Sequence, residues 1–393
     1  MPSRRWRFAA ASLSGVLQYV ATGLEPWWWA AWLAPIPLLV AAFRASTREA
    51  WALAVLAGVI GGASMAGFYV IFLGVLGTGL IMLLRGLISG IVVTCTRAVV
   101  LGSRRWLMVF VYPALMAGFD TLITAVSRDG TAGSLAYSQM SAVPVIQIAA
   151  LVGASGIVFI VSLFGALAAV AWHRRGDIDK PWLAYGLPSA LLVAGLAYGF
   201  MRIATAPAPS VLPVGLTVID RAPLMKSTGA GDPVWRAYAA AVPGLVRAGA
   251  KVVVLPEKIA RVDHEAVAPM RAVLGRVASD NAVYLLAGVA VVASDHQENR
   301  AWLFAPTGEL IGDYLKHHHI PGLEASFTPG SDLVIREVGT SRIGIAICKD
   351  MDFPTLGRRY AALGVDALLV PAWDFDQDAW WHARMAILRG VES

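Results

Sequence analysis

Three residues of types that do chemistry stand out in this chain: Glu257, Lys316 and Cys348. Glu257 closes the run Val-Val-Val-Leu-Pro-Glu257, and Cys348 closes Ile345-Ala-Ile-Cys348. Lys316 follows the apolar-polar stretch at 310–314. A carboxylate can take a thiol proton, the thiolate can attack a carbonyl, and a fixed ammonium can hold the oxyanion that forms. The backbone N–H of Lys349 is a candidate second oxyanion donor. Together these groups would carry acyl transfer through a thioester.

Such side chains converge only if the elements bearing them end on one rim. Residues 214–219, 251–255, 284–292, 300–304, 310–314, 342–347 and 367–370 read as strands, and 235–247, 266–279, 356–363 and 380–388 as helices. Thr307-Gly308 reads as a hairpin turn. Unbroken Val/Ile/Leu runs alternating with helices predict a sheet covered on both faces, with chemistry at the strand ends. No GxGxxG or GxxxxGK[ST] run supports a nucleotide site, and no cofactor is called for.

The half of the chain before this domain is of another kind. Of 393 residues, 57% are hydrophobic and only 15% charged, against about 25% charged in a soluble domain. Apolar stretches near 6–23, 27–43, 50–73, 79–101, 106–126, 143–172 and 182–203 each approach the roughly 20 residues that span a bilayer. The sequence therefore predicts a transmembrane domain of about seven helices over 1–204, a Pro-rich linker over 205–213, and a catalytic domain over 214–393. The net charge of +6 does not point to nucleic acid. Arginines flank alternate loops (Arg4, Arg5 and Arg7; Arg44 and Arg48; Arg104 and Arg105; Arg174 and Arg175), which is the positive-inside pattern. It puts the N-terminus in the cytoplasm and the catalytic domain on the outer face. The basic, apolar opening also resembles a signal peptide, but no small-residue cleavage site followed by polar sequence is evident, so an uncleaved helix is expected. Cys95 lies in a span and Cys348 in the globular half, so a disulfide is not expected.

The three catalytic segments, in order, resemble the nitrilase (carbon–nitrogen hydrolase) superfamily. The membrane half narrows the resemblance. Ala136-Tyr137-Ser138-Gln139, then Pro144-Val-Ile-Gln147 and Val152-Gly153-Ala-Ser-Gly156, are similar to apolipoprotein N-acyltransferases, as is the Trp/Pro-rich turn at 26–29. The resemblance implies an αββα sandwich after the membrane domain. It implies an acyl group moving from a phospholipid to Cys348 and then to the amine of a lipidated apolipoprotein. It implies a bacterial inner membrane with the site facing the periplasm, and Glu324 as a second loop glutamate that orients the lysine. The chain departs from the family at Lys349-Asp350, where an aromatic residue and Glu are usual, and at Pro321-Gly-Leu-Glu324, where Pro-Phe-Gly-Glu is usual. A membrane-tethered amidase that gives the acyl group to water, and an inactive scaffold, are the competing readings. Family members continue beyond the point matching Ser393, so the resemblance implies an early stop and an incomplete sandwich.

Other residues have two readings each. Trp373, Phe375, Trp380 and Trp381 could line an acyl groove or pack a core, and Asp374 could touch substrate or solvent. His317-His318-His319 reads as loop packing rather than a metal site, since consecutive residues point apart. Arg85, inside a span, either snorkels to the interface or meets a lipid phosphate.

Overall fold

The computed structural model describes residues 4–174, 178–206, 211–219, 233–373 and 377–393. Contacts divide the chain into two compact units, Met1–Ala206 with Asp376–Glu392, and Pro207–Phe375 with Ser393.

The first unit is helical: α1 (Arg4–Ala21), α2 (Trp28–Leu33), α3 (Pro35–Ala42), α4 (Thr47–Gly62), α5 (Ala66–Gly102), α6 (Val111–Val126), α7 (Val143–Ile146), α8 (Ala149–His173) and α9 (Pro181–Ala204). Among the described residues, four segments are long and apolar enough to cross a membrane: Thr47–Gly102, Trp106–Val126, Ala149–His173 and Pro181–Ala204. The first of these holds α4 and α5 folded back side by side. A Cβ on Gly58 would lie 2.8 Å from Arg85 O and Gly86 Cα, so this close helix approach needs a residue with no side chain. Of the other apolar stretches, α2–α3 is apolar but short and is interrupted at Ala34, while α1 opens on three arginines. Large apolar side chains such as Val75, Leu76 and Val126 are exposed on this unit, as a lipid-facing surface requires. The helix Ala379–Glu392 (α13 in chain order) packs here too, through Trp381, Met385 and Leu388. The sequence reading had carried the second domain through this helix to 393.

The second unit is an αββα sandwich. Its elements are β1 (Val214–Leu216), α10 (Pro233–Arg247), β2 (Val252–Val254), β3 (Ala260–Asp263), α11 (Val267–Asp280), β4 (Tyr284–Val292), β5 (Gln297–Phe304), β6 (Leu310–Leu315), β7 (Ile335–Val338), β8 (Ser341–Ile345), α12 (Pro354–Ala362) and β9 (Ala367–Leu369). One sheet runs β1-β2-β4-β5-β6, with β3 also paired to β4; the other runs β7-β8-β9. The period of two along a strand splits β2 between two cores. Val253 joins Trp235, Val242 and Leu274 under α10 and α11, whereas Val252 and Val254 meet Ile343 and Ile345 between the sheets. Burial on both faces explains why these strands read as unbroken apolar runs. Tyr360 of α12 covers the second sheet, its ring against Gly344 and its hydroxyl donating to the Ile345 carbonyl. Strands β3 and β7 escape the sequence reading because each has four residues and two of them are charged.

Candidate active site

Glu257 sits in a break between two short strands. β2 pairs with the start of β4 (Val252↔Tyr284) and β3 with its end (Ala260↔Val289), both in parallel. Between them the chain turns through Pro256-Glu257-Lys258, with Lys258 at φ 53°. This turn lies so close to β4 that a Cβ on Gly288 would be 2.5 Å from Glu257 Cα. The break lifts Glu257 out of the ladder, and its N–H reaches Ala372 O of the other sheet at 3.4 Å.

Glu257 is buried, and so are Lys316 and Glu324. Lys316 Nζ donates to Glu257 Oε1 and Glu324 Oε2, each at 2.9 Å. Lys258 Nζ donates to Glu324 Oε1 at 2.8 Å. Asn299 Nδ2, from β5, donates to Glu257 Oε1 at 2.6 Å and Glu324 Oε1 at 3.1 Å. Backbone amides finish the set, Trp373 N on Glu257 Oε2 at 3.2 Å and Ile320 N on Glu324 Oε2 at 2.9 Å. Two carboxylates and two ammoniums thus share one network, and charge balance is what makes its burial tolerable.

Two lysines decide the charge state of Glu257. Burial does push its pKa up, but the charges of Lys316 and Lys258 outweigh that, and the carboxyl is held below its ordinary value. Glu324 follows the same logic: against burial, Lys316, Lys258 and the Ile320 amide hold it down to about 2. Burial works against the Lys316 ammonium, yet Glu257, the charge of Cys348 and Glu324 keep its pKa above the ordinary value. Glu257 is therefore an unprotonated acceptor. A thiolate at Cys348 would lie within the field of the Lys316 cation.

Cys348 follows β8 at a sharp elbow. Its φ of 45° is in the left-handed region, a conformation costing on the order of 1–3 kcal/mol for a residue with a Cβ. The elbow is held by Cys348 N on Pro371 O at 3.0 Å and by Asp350, whose Oδ2 accepts from Ile347 N at 3.0 Å and Tyr314 Oη at 2.8 Å. Asp350 Oδ1 accepts from His318 N at 2.9 Å and lies 2.9 Å from His318 Nδ1. One buried carboxylate thereby fixes the cysteine elbow to the lysine loop.

Residues 14–167 match the apolipoprotein N-acyltransferase N-terminal domain, and residues 225–391 match the carbon–nitrogen hydrolase family. The apolipoprotein N-acyltransferase of Geobacter metallireducens is 25% identical over 98% of this chain and 82% of its own length. The chain belongs to the apolipoprotein N-acyltransferase family. A nitrilase of Pyrococcus abyssi is 38% identical over 98 residues, 24% of this chain and 37% of its own. An amidase structure from Nesterenkonia sp. covers 44% of this acyltransferase and 70% of the amidase, at 21% identity and a TM-score of 0.37.

Within the acyltransferase the proposed residues fall into distinct settings. Glu257, Lys316 and Glu324 meet directly, and Lys316 feels the charge of Cys348. The buried Lys349 side chain pairs with Asp352 at 3.0 Å. Trp373 contributes its backbone amide to Glu257. Trp380 packs in the helical unit with the Arg384 guanidinium 3.7 Å from its ring centre, and Asp374 and Phe375 lie outside the described residues. The histidines are spread out: His317 stacks on Tyr314, His318 on Phe353 at 3.7 Å, and His319 tilts against Phe327. Sequence reasoning missed Asn299, Lys258 and Gly288, and it treated Asp350 only as a departure. The one available signal was a lone glycine inside a strand-like run, which marks close backbone approach.

Proposed function

We propose that this protein moves a fatty acyl group from a phospholipid to the N-terminal amine of a lipidated apolipoprotein, through a thioester on Cys348. The observation that carries the proposal is the buried Glu257–Lys316 pair beside an elbow cysteine, in a chain whose other unit is built of apolar helices. Glu257 takes the thiol proton while sulfur bonds to the ester carbonyl carbon. Lys316 faces the oxyanion of the tetrahedral intermediate. The ester C–O bond then breaks, and the leaving lysophospholipid oxygen takes the proton back from Glu257. In the second half the amine attacks the thioester, Glu257 accepts its proton, and as the C–S bond breaks that proton passes to the leaving sulfur, restoring both cysteine and carboxylate. Glu324 and Asn299 keep Lys316 and Glu257 in register for both halves. The arginine alternation supports a cytoplasmic N-terminus and a catalytic unit on the periplasmic side of a bacterial inner membrane.

Intact-protein mass spectrometry after incubation with phospholipid tests the reading. The expected result is one fatty-acyl increment that hydroxylamine removes, that Cys348→Ala lacks, and that a diacylated lipopeptide with a free amine discharges. An increment discharged by water alone, with turnover of small soluble amides, would replace the acyltransferase with an amidase.

A further inference from the structure

Arg85 stands in the apolar stretch of α5 that follows the break at Gly74 (φ 65°), where an ionised side chain is costly unless something answers its charge. Its guanidinium donates to the Gly133 carbonyl, at a long 3.3 Å. That carbonyl is presented by a turn with Gly133 at φ 89°. A guanidinium has five N–H donors in a planar fork that matches a phosphate. Arg85 also lines a narrow, open cleft just beyond the end of α1, with Met65, Gly133 and Trp381 among its walls. The cleft's polar lining comes from Thr22, Ser134, Tyr137 and Ser138, and it reaches Pro26 at the edge of the exposed Trp27–Trp28–Trp29 run. Tryptophans of this kind sit at headgroup depth. A cation, hydroxyls and a cleft at headgroup depth are the elements of a site for a phosphate diester on an acyl-bearing molecule.

We propose that Arg85 and this cleft bind the phosphate of a phospholipid headgroup. The site stands in the helical unit and does not depend on the chemistry at Cys348. The guanidinium supplies a two-point contact to phosphate oxygens.

The test uses the full chain carrying Cys348→Ala, so that binding is read without turnover, in a neutral detergent. Native mass spectrometry and melting curves are recorded with dioleoylphosphatidylethanolamine, with dioleoylglycerol (the same tails, no phosphate) and with inorganic phosphate. One phosphatidylethanolamine is expected to be retained, at least tenfold more weakly after Arg85→Gln, with dioleoylglycerol indifferent to the substitution. Equal retention by Arg85→Gln, or dioleoylglycerol binding as well as the phospholipid, overturns the proposal. Stabilisation by inorganic phosphate with no lipid retained assigns the cleft to a free anion and overturns the lipid source. Should Arg85→Gln not fold, Arg85→Lys decides, because it keeps the charge and loses the fork: weakened retention supports the site and parental retention sinks it.

Discussion

Adding one methyl group at Gly288 should silence the enzyme without touching a catalytic side chain. A Cβ there would lie 2.5 Å from Glu257 Cα, 2.6 Å from Pro256 O and 2.9 Å from Lys258 N. All three are backbone atoms, so no side chain can swing aside. Ordinary contact starts at 3.4 Å, and the turn must therefore retreat by about 0.9 Å. The same turn carries Glu257, whose Oε1 is 2.9 Å from Lys316 Nζ, so the shift stretches the pair that receives the thiol proton. Misplacement on this scale costs roughly 100-fold in rate, and overpacking costs about 1–3 kcal/mol in stability. A time course of acyl-enzyme formation by intact mass, with melting curves beside it, reads both effects. Gly244→Ala in α10 is the control, since its nearest new contact is Arg247 Nη2 at 3.9 Å. A Gly288→Ala protein that acylates at the parental rate would refute the claim that the break between β2 and β3 sets the position of Glu257.

Lys316→Met leaves Glu257 and Glu324 facing each other with only Lys258 and Asn299 to answer them; acylation should fall by about 10²–10³ and stability by about 3–5 kcal/mol, read by denaturant unfolding. Asn299→Leu removes the amide that bridges the two carboxylates and should cost about 1–3 kcal/mol, with a larger loss in acylation rate than in phospholipid KM. Asp350→Asn keeps the shape but turns one acceptor oxygen into a donor facing backbone N–H groups or the Tyr314 hydroxyl, so it should slow acylation by at least about tenfold and loosen amide-exchange protection at 345–350. The pH dependence follows from Glu324, whose folded pKa of about 2 lies below its ordinary value of 4.5. Its ion pairs stabilise the fold above pH 4.5 and are lost as pH falls toward 2, a contribution on the order of 3 kcal/mol. Melting temperature should fall across that window, and Glu324→Gln should flatten the fall.

What the sequence made legible was whatever long apolar runs could mark. Glu257 and Cys348 were found because each ends such a run, and the hairpin at Gly308 because its turn residues sit between two strand-like stretches (φ is 85° there). The supporting residues are set by pairing instead. Asn299 meets Glu257 because β5 lies antiparallel to β4 with Ala290 opposite Asn299, and nothing local to Asn299 announces that register. Lys258 reads as a surface lysine until the left-handed turn aims it at Glu324. The lowered pKa of Glu257 was hidden for a related reason: burial could be inferred from its place after a strand, but two converging lysines could not.

The Trp373 amide and the Ala372 carbonyl, both beyond β9, close on Glu257, which belongs to the first sheet. Cys348 is likewise tied to Pro371. A ribosome-bound chain that has just released Cys348 still lacks the residues at 371–373 that complete its surroundings. On the proposed mechanism, the surroundings of Cys348 and Glu257 are complete only once both sheets have docked. The same dependence makes the acylation rate a folding assay: it reports the joining of the two sheets, which a circular dichroism signal dominated by membrane helices would barely register.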